Sequence, residues 1–280
     1  MEWIQTIIIA IVEGLTEFLP VSSTGHIIIT QGLLDMKENR EFWNAFAVII
    51  QFGAILSVVC LYWRKFFYPE IMRTKGYTWW QAIRHFYLRL IIGVLPAVVL
   101  GFTLNEYIEK NLDNVTLVAV MLIVGGVFML FCDRLFNKGS DSTPLTLRRS
   151  FVIGCFQCIS MIPGVSRSMA TIVGGMAQKL TRKAAAEFSF FLAVPTMAGA
   201  TLLEVVKLVT GEKGNVLTQG NHLALLLLGC VVSFIVATLA IKGFIAFLTK
   251  YGFAAFGWYR IIVGVLILVM GLLGYELTME

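Results

Sequence analysis

The sequence is poor in charged residues. Only 14% of its 280 residues are Asp, Glu, Lys or Arg, whereas soluble domains carry about 25%. Hydrophobic residues make up 58%, and the mean hydropathy is +0.82. This shortage of charge excludes an ordinary soluble domain. The net charge of +5 is therefore assigned to basic loops beside a membrane, and we expect no nucleic-acid partner.

The cysteines also form few patterns that would indicate a function. Cys155 and Cys158 form a CxxC pair, but the sequence has no second pair of the kind that completes a zinc site. The other cysteines lie in hydrophobic segments, where a free thiol behaves as a small apolar residue. We therefore expect no cysteine-based metal or redox chemistry.

Long apolar blocks, by contrast, are abundant. A membrane-spanning helix needs about 17–25 mostly apolar residues, and six blocks reach or approach this length. They are 46–63, 88–104, 115–132, 188–206, 223–241 and 253–273. We predict an all-α integral membrane protein with six transmembrane helices, in which residues 1–280 form a single polytopic membrane domain. Arg260, near the start of the last block, is interpreted as an anchor at the membrane interface.

Two further apolar stretches are interrupted by proline and polar residues. Residues 1–34 contain Pro20 inside the run EGLTEFLPVSSTGH, and residues 151–176 contain Pro163-Gly164 followed by Ser-Arg-Ser. We predict that each stretch forms a re-entrant helical hairpin, which enters and leaves the membrane on the same side. Non-helical backbone at membrane depth is tolerated only where protein buries it or water reaches it.

The loop charges then give an orientation. The loops 64–89, 134–150, 179–187 and 242–252 carry fifteen Lys and Arg residues, and the loops 35–42, 105–114 and 207–221 with the C-terminal tail carry five. Because basic loops stay in the cytoplasm, we expect both termini outside. Treating both interrupted stretches as full spans would spoil this contrast.

The two interrupted stretches resemble each other. EFLP-VSST at 17–24 aligns with SMIPGVSRS at 160–168 with one extra glycine, and AVIIQFGAIL at 47–56 aligns with AVPTMAGATL at 193–202. This similarity predicts an inverted-topology repeat with halves at about 1–133 and about 150–275. Inverted repeats place polar sites near the bilayer midplane, where broken helices meet.

The polar residues at these breaks predict a phosphate site. Hydroxyl residues that follow each proline should cap the next half-helix; they are Ser22, Ser23 and Thr24 in the first stretch, and Ser166 and Ser168 in the second. Helix N-termini attract anions. Arg167 adds a guanidinium fork that suits phosphate oxygens.

Three ionisable residues of the first stretch point to catalysis. Glu13 and Glu17 share a helix face and would repel an anion unless a divalent cation or a proton lies between them; Mg²⁺ often takes one or two carboxylates plus phosphate oxygens. Ser23 and His26 are three residues apart, which pairs a nucleophile with its general base. His26 as the nucleophile is the rival assignment, and the sequence leaves both open.

The runs VEGLTEFLPVSSTGH at 12–26 and PGVSRSMAT at 163–171 resemble the two signature regions of the undecaprenyl-diphosphate phosphatase family, the bacitracin-resistance proteins. The stretches QFGAILSVV, GVLPAVVLG and AAEFSFFLAVP support this resemblance in the same order along the chain. Met169 is a departure, because such proteins usually have a small residue there. It could change the packing beside Arg167 but removes no chemical group.

The resemblance implies a multi-pass enzyme of the bacterial inner (plasma) membrane with its active site facing outside. It would hydrolyse undecaprenyl diphosphate to the monophosphate, so that the lipid carrier is reused in cell-wall synthesis, with Mg²⁺ or Ca²⁺ as cofactor. The catalytic residues would be Glu17, Ser23, His26 and Arg167, the substrate-binding residues Ser22, Thr24, Ser166, Ser168 and Thr171, and the metal ligands Glu13 and Glu17. The expected partners are a polyprenyl diphosphate lipid, membrane lipids and, as an option, a second copy of the chain in a homodimer.

A lipid flippase or secondary transporter with a midplane anion site is the alternative function. Such proteins also have inverted repeats and broken helices. Their coupling sites, however, need no serine–histidine pair beside two glutamates and an arginine. Release of phosphate from a diphosphate lipid would distinguish the two classes.

Overall fold

A computed structural model describes residues 1–34, 36, 39–69, 76–104, 110–111, 114–136, 138–210 and 220–273. This part of the chain is helical and contains no strand. Its helices are α1 (Glu2–Thr16), α2 (Ser23–Leu33), α3 (Arg40–Leu61), α4 (Trp63–Phe67), α5 (Trp79–Thr103), α6 (Val115–Leu135), α7 (Leu147–Ile159), α8 (Arg167–Ala177), α9 (Arg182–Val209), α10 (His222–Tyr251) and α11 (Ala254–Leu272).

Six of these helices, α3, α5, α6, α9, α10 and α11, are long and apolar enough to cross a membrane. They confirm the six predicted apolar blocks. Several begin earlier than the blocks because polar caps extend them: Thr78 forms a capping box ahead of α5, and Thr181 caps α9. Hydropathy indicates only the apolar length of a helix that crosses the lipid. The residue at which the helix begins is determined by its hydrogen-bonded cap.

The interrupted stretches form two pairs of shorter helices, α1–α2 and α7–α8. These helices have 15, 11, 13 and 11 residues, and even the longest extends only about 22 Å at 1.5 Å per residue. The predicted helix breaks at Pro20 and at Pro163-Gly164 are confirmed, because both lie between the helices of a pair.

Both breaks end in a serine with unusual backbone geometry. Ser22 and Ser166 have φ of 71° and 79°, a region that non-glycine residues seldom occupy. Each serine then caps the next helix: its Oγ accepts a hydrogen bond from the backbone N–H of Gly25 or Met169, at 3.5 and 3.3 Å. The predicted caps are thus confirmed at these two positions.

Close packing holds each break against a transmembrane helix. Gly164 has φ of +91°, and a Cβ on it would lie 2.5 Å from the carbonyl oxygen of Val118 in α6. A glycine is therefore required there both by its conformation and by the approach of α6. Within the first break, the fully buried Phe18 meets Phe190 of α9 edge-on, with ring centroids 5.2 Å apart.

Candidate active site

A cavity of about 230 Å³ lies where the two helix breaks meet. Residues from both breaks line it, and α3 and α9 complete its wall. The lining residues are Glu17, Ser22, Ser23, Thr24, Gln51, Ser160, Met161, Pro163, Gly164, Ser166, Arg167, Thr196 and Met197. The cavity therefore brings together the polar residues of two sequence regions that the alignment had paired.

An unbroken chain of hydrogen bonds crosses the cavity wall. Arg167 Nη2 donates to Glu17 Oε1 at 2.9 Å, and Ser23 Oγ donates to Glu17 Oε2 at 2.6 Å. The side chains of Arg167 and Glu17 are only 13% and 8% exposed, so little solvent screens this ion pair. Arg167 Nη1 also donates to the backbone carbonyl of Ser189, at 3.1 Å. These contacts fix the Glu17 carboxylate between the serine hydroxyl and the guanidinium.

His26 takes a different position from the one expected. Its Nδ1–H donates to the carbonyl of Ser22 at 2.8 Å, and its Nε2 is 2.7 Å from the hydroxyl of Tyr259 in α11. Its ring is also stacked parallel to the Tyr259 ring. The predicted Ser23–His26 hydrogen bond is therefore not formed: Ser23 is bonded to Glu17 instead, because the turn at Ser22 directs the imidazole toward α11. The catalytic role of His26 stays a prediction.

Glu13 is the most deeply placed acid of the site. It is 0% exposed, and no donor among the described residues reaches either of its carboxylate oxygens. The Glu17 carboxyl is its immediate ionisable neighbour. Two adjacent buried carboxyls cannot both keep their charge without a proton or a cation between them. Since Glu13 lacks a donor while Glu17 is already bonded to Arg167 and Ser23, the two carboxyls fit a cation, although no group of three or more metal-ligating side chains occurs in the described part of the chain.

Two predicted substrate-binding residues, Ser168 and Thr171, do not line the cavity. Both are 0% exposed. Ser168 Oγ donates to the carbonyl of Leu19 at 2.7 Å, and the Thr171 and Ser189 hydroxyls are 2.6 Å apart. In this structure they bind one break to the other and α8 to α9, whereas Ser22, Thr24 and Ser166 do reach the cavity.

Some cavity residues were not predicted as site residues. Gln51 lies on α3, and Met197 lies on α9 with its Sδ 3.5 Å from Arg167 Nη2. Thr196 accepts a hydrogen bond from Gln157, at 3.3 Å. The repeat alignment contained a usable signal, because it pairs position 51 with position 197. Equivalent positions in the two halves thus meet at the same cavity.

Arg260 is a structural centre and not an interface anchor, so the prediction for it was wrong. It is 0% exposed, and its guanidinium donates to five backbone carbonyls. These belong to Pro20 in the first break, Gly164 and Val165 in the second, and Met121 and Leu122 in α6, at 2.8–3.3 Å. Gly125 leaves room for the guanidinium, and Met169 packs at the same glycine, so the unusual methionine lies in the core.

Replacement of Arg260 by methionine should destabilise the fold. The carbonyls of Pro20, Gly164 and Val165 would lose this donor, and each buried unsatisfied group costs about 1–3 kcal/mol. We expect a loss of about 3 kcal/mol or more in the free energy of unfolding, measured by thermal unfolding in detergent. Arg148→Met, at an exposed arginine, is the control. Equal unfolding temperatures for the two variants would contradict this role.

The fold and the cavity define a multi-pass membrane protein with a polar site between two helix breaks. The chain belongs to the family described as bacitracin resistance protein BacA, which it matches over residues 6–266. It is 53% identical over 283 residues to a protein of Porphyromonas gingivalis, covering 99% of this chain and 100% of the relative. Relatives from Flavobacterium psychrophilum and Bdellovibrio bacteriovorus are 48% and 44% identical, each over 100% of both chains. All three relatives are named undecaprenyl-diphosphatase.

Proposed function

We propose that this chain is an undecaprenyl-diphosphatase, which hydrolyses undecaprenyl diphosphate to undecaprenyl phosphate and inorganic phosphate and so recycles the lipid carrier for cell-wall synthesis. The shared name of the three relatives supports the reaction class. The observation that carries the proposal is the Ser23–Glu17–Arg167 chain at the cavity. It places a nucleophile, a proton acceptor and an anion-binding group within one site.

The cavity would bind the terminal phosphate through the start of two helices. Ser23 begins α2 and Arg167 begins α8, and both helix starts line the cavity. Their free backbone N–H groups and positive dipole ends favour an anion. The guanidinium of Arg167 adds charge-assisted hydrogen bonds to the phosphate oxygens.

In the proposed reaction, Ser23 Oγ attacks the terminal phosphorus while the bond from phosphorus to the bridging oxygen breaks. The Ser23 proton goes to Glu17 Oε2, its hydrogen-bond partner, and the lipid monophosphate leaves. Water then attacks the phosphoserine, the bond from phosphorus to Ser23 Oγ breaks, Oγ takes back the proton from Glu17, and inorganic phosphate leaves with both protons of the water. Arg167 would stabilise the charge on the equatorial oxygens. Since Ser23 lines the cavity and His26 does not, we favour the serine as nucleophile; phosphate trapped on a histidine nitrogen would contradict this choice.

We also propose that Glu17, supported by Glu13, holds Mg²⁺ or Ca²⁺. The support is the orphaned carboxylate of Glu13 beside Glu17. A bound divalent cation would neutralise part of the charge of the diphosphate, whose oxygens would complete its coordination.

Chelation is therefore expected to abolish phosphate release, and added Mg²⁺ or Ca²⁺ should restore it. The carboxylate pair alone would repel an anionic substrate. The measurement is phosphate release by metal-stripped protein as a function of cation concentration. Full activity in excess chelator would remove the metal from this proposal.

The phosphatase itself is tested by incubating the purified chain in detergent with undecaprenyl diphosphate and measuring inorganic phosphate. Release should occur with the natural chain and not with Ser23→Ala. Ser142→Ala, at an exposed loop serine, controls for the substitution. A flippase or transporter would bind the lipid but release no phosphate.

The re-entrant arrangement and the inverted repeat belong to the same proposal. In support, the contact of α1 with α10 is matched by the contact of α7 with α5. In addition, α3 packs against α9, and α6 packs against α11. Two equivalent halves related by a pseudo-two-fold axis would make contacts paired in this way. Both breaks also end in a left-handed serine cap. The proposed cavity opens outward, where lipid diphosphate would be left by polymer assembly.

Single cysteines in a chain without native cysteines should reveal this orientation. The loop positions 37 and 213 are expected on the outer face of the membrane and the loop positions 75 and 141 on the cytoplasmic face. The structure does not describe 37, 75 and 213. Asn39 and Ser142, which are described and exposed, therefore represent the outer and the cytoplasmic loops, and Ser142 is next to position 141. An impermeant thiol reagent should label Asn39→Cys on intact cells, but Ser142→Cys only after permeabilisation. The reverse pattern would overturn the orientation and external catalysis together.

A further inference from the structure

A second cavity, of about 280 Å³, lies away from the proposed active site. It is lined by α4, α5, α9 and the segment that precedes α7. Its chemically distinctive lining residues are Lys65, Phe86, Arg89, Thr143, Glu187 and Phe191. Glu187 precedes the active-site residue Thr196 by nine positions on α9, which corresponds to about 13 Å along the helix. The two cavities are therefore separate.

Among the described charged side chains that line this second cavity, one cationic side chain has no ion pair. Lys65 Nζ is 2.6 Å from Glu187 Oε2, so these two charges offset each other. Arg89 also lines the cavity, is partly buried, and has neither a hydrogen bond nor an ion pair with the described residues; Tyr77 is the ionisable group that influences it. The cavity thus offers a guanidinium that no carboxylate of the described residues pairs with. A partly buried guanidinium on a membrane helix generally has an anionic partner.

The position of Arg89 along α5 indicates the depth of that partner. The polar residues Gln81, Arg84 and His85 precede it, and the stretch 90–103 that follows contains no ionisable side chain. Arg89 is therefore the last charge before the apolar part of α5. The boundary between the polar and apolar parts of a bilayer is where lipid headgroups lie.

The walls of the cavity suit the rest of a lipid. Phe86 and Phe191 form part of an aromatic group, with ring centroids 5.7 Å apart, and Leu90 and Leu145 also line the cavity. A guanidinium binds phosphate oxygens with two parallel hydrogen bonds, while rings and aliphatic side chains accommodate glycerol carbons or a prenyl chain. We propose that this cavity binds the phosphate group of a membrane lipid through Arg89, on the membrane side opposite the active site.

Lipid binding to the purified full-length chain, followed by native mass spectrometry, tests this site. The probes are phosphatidylglycerol, a polyprenyl monophosphate and inorganic phosphate. Arg89→Gln should weaken binding of a lipid phosphate by about 10-fold or more, since a hydrogen bond to a charged group contributes about 1.5–3 kcal/mol. Arg84→Gln, at an exposed arginine of the same helix, should bind like the natural chain. Phosphate release should be unchanged in both variants.

A second variant, expected to strengthen lipid binding, distinguishes loss of the site from misfolding of Arg89→Gln. Among the described residues that line the cavity, Glu187 is the one carboxylate, and Glu187→Gln removes it and frees Lys65, so lipid phosphate should bind several-fold more tightly. Tighter binding of phosphatidylglycerol or of the polyprenyl monophosphate identifies the source, and either supports the proposal. Inorganic phosphate binding as tightly as the lipids would overturn the lipid assignment. Affinities unaffected by both Arg89→Gln and Glu187→Gln would overturn the site.

Discussion

Glu17→Gln is expected to lower the rate of phosphate release by about 10³-fold, within the range of about 10²–10⁴ for loss of a general base. Glutamine keeps the shape of the side chain and can still bond to Ser23. It cannot take the serine proton, however, so the attacking oxygen stays a weak nucleophile. The ion pair with Arg167 is lost at the same time. The measurement is the initial rate at saturating undecaprenyl diphosphate.

Glu41→Gln provides the matched control, because Glu41 is an exposed acid at the start of α3. That variant should turn over like the natural chain. A Glu17→Gln rate within a few-fold of the control would show that another group accepts the proton. His26 would then become the first candidate, in agreement with the pairing expected from the sequence.

Arg167→Lys should reduce turnover by about 10²–10³-fold, the loss typical for removal of one group that stabilises developing charge. The natural guanidinium contacts Glu17 through Nη2 and the carbonyl of Ser189 through Nη1. A lysine ammonium is a single point charge and cannot hold both partners while it also binds phosphate in two places. The positive charge that lysine retains is therefore not sufficient for normal turnover.

Steady-state kinetics separates this effect from general damage. Arg167→Lys should lower kcat and raise KM, since the guanidinium acts on bound substrate and on the transition state. Arg64→Lys, at an exposed arginine of α4, serves as the control and should leave both constants unchanged. Normal turnover in Arg167→Lys would remove this residue from the proposed site.

The features that sequence predicted correctly depend on local residue type. Six helices follow from hydropathy alone, because each apolar block must satisfy its own backbone hydrogen bonds in lipid. The breaks at Pro20 and Pro163 follow from proline's missing N–H. The caps at Ser22 and Ser166 follow from the preference of hydroxyl side chains for helix starts. None of these requires knowledge of a distant part of the chain.

The features that sequence missed depend on contacts between distant residues. Spacing on a helix placed His26 beside Ser23, but the left-handed turn at Ser22 and the hydroxyl of Tyr259 determine where the imidazole points. Arg260 looked like an interface residue because it lies near a helix end, and only the fold brings five carbonyls to it. For Gln51 the signal existed in the repeat alignment, although it did not indicate a cavity.

The position of Arg260 in α11, which follows both breaks along the chain, has a consequence for biosynthesis. The ribosome synthesises α11 after both helix breaks. The carbonyls of Pro20, Gly164 and Val165 therefore lack their Arg260 donor until α11 has been made. Until α11 inserts, those groups need water or lipid headgroups as temporary partners. A nascent chain that stops before residue 260 thus lacks the contacts by which Arg260 joins the two breaks, and the site can close only after α11 has been made.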